Sequence, residues 1–184
     1  GAIIARMNPG ESYRGWDLYL QNGHPASHVI DTWEGSANKI VAPAPLASGE
    51  WHHLMVTFDG KSAANQASAI YVDGKRADAQ VVPASVGGTI ETAVPLRLGS
   101  RHNNDSKLNG KVALQDFRFY RRLLSPEEIG SLANDSLLRQ VVSLPPDQRT
   151  KAQLDALFGH FISNIDAPSR ELRAKIVTLK SEQA

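Results

Sequence analysis

The chain has 184 residues, 20 basic against 19 acidic side chains for a net charge of +1, and no cysteine. That length accommodates one domain with a full core plus an appendage, and the balanced charge excludes binding to nucleic acid or anionic membranes by field alone. Lacking cysteine, it has no disulfide, thiolate nucleophile, Cys-ligated zinc or Cys-x-x-Cys-His haem attachment, and no apolar run approaches the roughly 20 residues of a membrane span.

The chain enters directly on the strand-like AIIARM (Ala2 to Met7) with no cap before it, as in a piece of something longer. From Ala2 to about Tyr120 the period is two. Trp16, Leu18 and Leu20 alternate with Asp17, Tyr19 and Gln21, placing an apolar face against a mostly polar one. SHVIDTW, ANKIVA, WHHLMVTF, ASAIYV and PLRLGS follow as short β-branched and aromatic runs, parted by the turn-forming clusters QNGHP and APAPLASGE. IYVDGKRA reads as a tight hairpin, because Asp73-Gly74 supplies the positive φ angles of a two-residue turn. So many short strands predict an antiparallel sandwich or barrel.

The period then changes to that of a helix. Ser125 as N-cap, Pro126 at the first helical position and Glu128 closing a capping box start one helix. After Pro145-Pro146-Asp147, the residues Leu154, Leu157, Phe158, Phe161, Ile162 and Ile165 form one helical stripe. Asp166 with Pro168 opens another helix, whose Leu172, Ile176 and Leu179 share a side. The predicted organisation is a β-sandwich over 1–124, a short helix and linker over 125–146, and an amphipathic helical hairpin over 147–184.

The adjacent histidines of GEWHHLMVTFDG (Gly49 to Gly60) invite a metal or proton-transfer reading. On a strand His52 and His53 point to opposite faces, so they do not chelate one ion together. The expected arrangement is one imidazole buried and hydrogen-bonded beside Trp51, the other partly exposed. His24 and His28 are four apart but are read as lying across a Pro25 turn, which disfavours a shared metal. No two carboxylates of the sandwich half lie i, i+2 on one strand, and Asp59 and Asp73 are explained by the glycines after them. A Gly-x-Ser-x-Gly elbow is absent as well. Catalysis is not expected.

Binding residues are expected elsewhere. LGSRHNNDSKLNG (Leu98 to Gly110) gathers Arg101, Asn103 and Asp105, whose oxygens suit a structural calcium and whose polar groups suit sugar hydroxyls. Tyr19 lies opposite the apolar face of its strand, and Trp33 in DTWEG and Tyr13 in ESYRG flank turns. With His28, these give a ligand-binding set of Tyr19, His28, Trp33, Arg101, Asn103 and Asp105. Asn103 and Asp105 are the metal candidates, and no cofactor beyond that calcium is expected.

Taken together, GEWHHLMVTFDG, IYVDGK, PLRLGS and LNGKVALQDFRFYRRLLSPEEI resemble the concanavalin A-like jelly roll of the laminin G-like superfamily. The matching positions are Trp51, His53 and Asp59; Tyr71, Asp73 and Gly74; Gly110, Asp116, Arg118 and Tyr120; and Arg122, Leu124, Ser125 and Glu128. The resemblance implies a mainly β fold with a helical extension, and a strand over the Gly110-to-Tyr120 motif. RGWDLYLQNG, HVIDTW and the helical tail further resemble a module of large planctomycete-type proteins that also carry cytochrome c-like domains. That likeness implies an exported, extracytoplasmic protein whose other domains meet this chain through its C-terminal helices. The family's usual first strands, with a Phe-x-(apolar)-x-Trp pattern, are absent here, so the sandwich is expected to be truncated or completed by another segment. The Glu-x-Asp-x-x-Glu strand of related glucanases is absent too. The expected function is a non-catalytic module recognising a glycan or polysaccharide. The alternative is a structural or protein-interaction module, and a glycoside hydrolase ranks last.

Overall fold

The period-two segments pair into two antiparallel sheets in the computed structural model, which describes residues 1–82 and 85–182, leaving aside the side chains of Asn104, Val177, Ser181 and Glu182. Strands β1 (Ala2–Asn8), β2 (Arg14–Gln21), β3 (His24–Thr32), β4 (Ser36–Val41), β8 (Gln80–Val82) and β9 (Arg97–Leu98) form the larger sheet in the order β8-β4-β3-β2-β1-β9. Strands β5 (Leu54–Phe58), β6 (Ser68–Val72) and β7 (Lys75–Arg76) form the smaller sheet in that order. The mainly β fold expected from the alternation is thus the observed one.

The faces are set by register. Ile40 lies opposite Ser27, Ser27 opposite Leu18, and Leu18 opposite Ile4, so these residues share the inner face of the larger sheet. Ile40 and Ala42 pack there against Ile70 of the smaller sheet, with Val56, Val72 and Val81 around them. Burying an aliphatic side chain as fully as Ile70 or Ile40 contributes about 1.5–3 kcal/mol. Asn38 is also inner, and its buried side chain would be costly without partners. It has two: its Oδ1 accepts from Ser68 Oγ at 2.6 Å, and its amide donates to Ala64 O at 2.8 Å.

The smaller sheet is itself covered on its other side. Ala69, Tyr71 and Met55 pack against Leu124, Ile129 and Leu132 around the start of helix α1 (Pro126–Ser143). The capping box predicted there is formed: the Glu128 amide donates to Ser125 Oγ and the Ser125 amide to Glu128 Oε2. Arg122 grips the same carboxylate through both Nη atoms, and the two sets of bonds hold the Glu128 carboxyl down to about 2. Asp73-Gly74 makes the expected β6–β7 turn, with φ of 50° and 78°.

Three expectations need correction. Pro25 does not make a turn; it sits inside β3 opposite Leu20, and the turn is Asn22-Gly23, with φ of 53° and 86°. A two-residue turn makes Gln21 and His24 the hydrogen-bonded pair, so at the next pair Pro25 owes no N–H to β2. Trp51, His52 and His53 precede β5 instead of lying within it. Finally, the motif from Gly110 to Tyr120 joins neither sheet, because no neighbouring strand among the described residues pairs with it.

The chain divides into compact units of residues 1–134 and 135–184. Within the second, α2 (Lys151–His160) opens on a Thr150–Gln153 capping box and ends in a π-helical turn at Phe161–Ile165. Helix α3 (Ala167–Glu182) follows, with the Ser169 amide capped by Asp166 as the sequence predicts. Leu154, Phe158, Phe161 and Ile165 of the first stripe and Leu172, Ile176 and Leu179 of the second are exposed, Phe158 most of all at 66%. Among the described residues no helix is long and apolar enough to cross a membrane.

Candidate functional site

The outer face of the larger sheet carries a row that runs across five strands: Arg97, Ala5, Asp17, His28 and Lys39 are successive cross-strand partners. The next row holds Tyr19, Ala26 and Val41. Small alanines flank the long polar side chains, which leaves the larger groups room to converge on one another.

At the centre is Asp17, 1% exposed. Both Nε and Nη2 of Arg101 lie 2.7 Å from its Oδ2. Its Oδ1 accepts the backbone amide of His28 at 2.8 Å and stands 3.1 Å from His28 Nδ1. An ionised carboxylate only accepts, so the proton of the His28 ring belongs on Nδ1. In the neutral ring the lone pair is then left on Nε2, which is buried and has no hydrogen-bond partner among the described residues. A buried acceptor without a donor is unfavourable by about 1–3 kcal/mol.

Aromatic rings connect this buried cluster to the surface. Tyr19 stacks on His28 with centroids 4.8 Å apart and planes 9° from parallel, and the Arg101 guanidinium lies 5.1 Å from the Tyr19 centroid. Burial first, and the Asp17 charge second, push the Tyr19 phenol up to about 12, against the opposing pull of Arg101. Trp33 meets His28 edge-on at 5.7 Å, and Tyr13 meets Trp33 at 5.6 Å. Trp33 is 44% exposed, whereas His28 and Tyr19 are 5% and 8% exposed. The buried rings therefore shape the site while Trp33 faces solvent.

Two strained turns place the outer rings. Ser12 and Tyr13 have φ of 54° and 58°, and Glu34 has 69°. Left-handed backbone is unfavourable for such residues by about 1–3 kcal/mol each. The Trp33 amide donates to Ser12 O at 2.9 Å, tying the two turns together. Arg14 bridges them through charge as well, 3.8 Å from Asp31 and 3.9 Å from Glu11.

Four of the six predicted binding residues, Tyr19, His28, Trp33 and Arg101, meet in this cluster. Asp105 joins it indirectly, because its Oδ1 accepts from Ser106 Oγ and that hydroxyl accepts from Arg101 Nη1. Asn103 is exposed, with φ of 48° in the turn His102–Asn104. Among the described residues no group of three His, Cys, Asp or Glu side chains could hold a metal ion.

The paired histidines belong to a different place. Asp73 accepts the His53 amide at 2.9 Å and faces His52 Nδ1 at 2.9 Å, so the turn aspartate also organises the Trp-His-His segment. Burial lowers the pKa of His53 from its ordinary value, with Asp73 opposing. Asp17 and Tyr13 are the members of the cluster missing from the predicted binding set. The Asn-Gly turn would have shown that Asp17 faces His28.

A laminin G family model described as "Concanavalin A-like lectin/glucanases superfamily" matches residues 1–130. Among solved structures, the chain is similar to an S-layer domain-containing protein (residues 221–444) from Clostridium thermocellum ATCC 27405, with 20% sequence identity and a TM-score of 0.37. The match covers 72% of this chain and 62% of that one, so the chain spans less than two thirds of its length. No curated protein matches.

Proposed function

The chain belongs to the concanavalin A-like lectin/glucanase superfamily, and on that premise we propose that it is a non-catalytic module recognising a glycan at the Trp33–Tyr13 face. The observation that carries this reading is the unfilled acceptor on His28 Nε2 beneath an exposed tryptophan. A sugar offers a C–H face that stacks on an aromatic ring and hydroxyls that donate hydrogen bonds. Displacing the Trp33 ring brings a hydroxyl to Nε2. Asn103 and Asp105 enter the reading as oxygen donors for a structural calcium beside the site.

The carboxylates favour binding over hydrolysis. Asp17 is held by Arg101, and Glu11 and Asp31 share Arg14. Glycoside hydrolysis needs one carboxyl as acid and another as base or nucleophile across the sugar. By the same reading the module works outside the cytoplasm, within a larger multidomain protein.

The test is a glycan array probed with the chain and with Trp33→Ala, in calcium and in chelator. Binding to a defined glycan class that the substitution removes supports the proposal. No binding in either medium, together with melting that calcium leaves unchanged, defeats it. A second reading, a protein-interaction module, is favoured by the exposed Leu154, Phe158, Phe161 and Leu172 of the helical unit. Self-association or partner capture lost in Phe158→Ser would establish that role.

A further inference from the structure

Residues 42–53 carry the chain from β4 in the larger sheet to β5 in the smaller one without a strand or helix of their own. The first half of this crossover is moored to the β2–β3 hairpin. The Ala42 amide donates to Pro25 O at 2.8 Å and the Leu46 amide to Gly23 O at 3.0 Å. His24 Nδ1 lies 3.0 Å from Ala42 O, and one proton on that nitrogen satisfies the contact. The second half, residues 47–51, is exposed and turns at Ser48-Gly49, where Gly49 has a φ of 82°. Among the described residues, one hydrogen bond reaches this stretch from outside it, and it comes from a histidine ring.

That histidine is His52. Its side chain is 14% exposed, and both ring nitrogens face oxygens. Nδ1 is 2.9 Å from Asp73 Oδ2 in the β6–β7 turn, and Nε2 is 3.3 Å from Ala47 O. A carbonyl oxygen and an ionised carboxylate accept and never donate. A neutral imidazole has one N–H, so it serves one of these oxygens and turns a lone pair on the other. The imidazolium has two and serves both. No other histidine among the described residues is placed in this way. His24 and His28 face acceptors through Nδ1 alone, and His160 Nδ1 faces the Asn164 side-chain amide.

The charges around the ring suit the two-proton form. Asp73 supplies the counter-charge from the β6–β7 turn, and its other oxygen accepts the His53 amide at 2.9 Å. The His53 ring feels the same Asp73 charge, with Asp116 and Arg118 beyond it. On the crossover itself Glu50 is exposed and makes no ion pair among the described residues. Gly130 and Ala133 of α1, which back the turn at Gly74, carry no charge. Hydrogen bonds from a charged donor are roughly twice as strong as neutral ones. One proton thus strengthens the Asp73 contact and makes the Ala47 contact.

We propose that His52 is a proton-operated clasp on the crossover: as imidazolium it pins residues 47–51 to the β6–β7 turn, and on giving its Nε2 proton to solvent it releases them. Trp51, 43% exposed, ends that stretch, so protonation sets how firmly the backbone behind an exposed aromatic ring is held. The clasp involves none of the Trp33 cluster, and its test needs no glycan.

Hydrogen exchange of the full chain is compared at pH about 5 and about 8, the limits of the histidine range, with rates corrected for the intrinsic effect of pH. Magnetic resonance of the His52 ring reports its charge at each pH. Expected is about tenfold or greater protection of the amides of 48–51 at the lower pH, while the Ala42 and Leu46 amides stay equally protected. His52→Gln, which cannot titrate, should abolish the difference, with retained protection at Ala42 and Leu46 reporting an intact fold. A variant that fails to fold leaves the comparison in the parent chain decisive. Equal protection of 48–51 at the two pH values, a ring whose charge does not change between them, or a difference that persists in His52→Gln overturns the proposal.

Discussion

Asp17 and His28 face each other across β2 and β3, and a single carboxylate oxygen of Asp17 serves both the backbone amide and the ring of His28. Its other oxygen holds Arg101. Removing one partner of a buried ion pair destabilises by about 3–5 kcal/mol, whereas replacing both with apolar groups of similar volume is often neutral. Asp17→Asn should therefore shift the urea midpoint strongly downward. Asp17→Leu combined with Arg101→Met should recover only part of that loss, because the buried His28 amide and ring Nδ1 then lose their acceptor. Equal destabilisation by the single and double variants would show that the pair is not the source.

That relationship was within reach of the sequence. An Asn-Gly turn at Asn22-Gly23 fixes the register of its hairpin, and counting outward pairs Gln21 with His24 and Asp17 with His28. Treating Pro25 as the turn hid the pair. The faces of β2, the Asp73-Gly74 hairpin and the Ser125 capping box were legible because each depends on local spacing. Arg101 reaches Asp17 over 84 residues of chain, and no local pattern encodes such a contact. The Lys111–Tyr120 segment shows the converse. Its alternation reads as a strand, but a strand also needs a neighbour.

The stack of Tyr19 on His28 gives an alkaline signature. With the phenol at about 12 in the folded chain and about 10 in the unfolded one, the folded state keeps its proton longer. Stability from this group is complete below pH about 10 and is lost as pH rises from there through about 12. Tyr19→Phe should flatten that part of the stability profile. Ultraviolet titration should also lose a late phenolate transition in the variant. An unchanged titration would place Tyr19 in a more solvated setting than its 8% exposure implies.

Ligand contact at the exposed rings should separate from stability. Trp33 is 44% exposed, so Trp33→Ala should leave melting nearly unchanged. It should weaken the glycan interaction by about 1 kcal/mol or more, about fivefold in Kd. Tyr13→Ala should weaken binding less, because that ring acts through Trp33. Tyr13→Gly also relieves left-handed backbone, so stability should be retained or raised even as affinity falls. If Trp33→Ala bound the glycan unchanged, recognition would lie elsewhere on the chain.

Gly74 couples the β6–β7 hairpin to the start of α1. Its φ of 78° favours glycine, and a Cβ there would lie 3.0 Å from both the Ala133 Cβ and the Gly130 Cα. Ala133 is fully buried and Gly130 approaches through backbone, so neither can yield without moving the helix. Strain at φ and the steric clash act in the same direction, and Gly74→Ala should destabilise by about 1–3 kcal/mol. Because Asp73 also holds the His53 amide and faces the His52 ring, a shifted turn should perturb both imidazole resonances. Gly74→Ala with wild-type stability and unchanged histidine spectra would show that the hairpin tip does not bear on the helix.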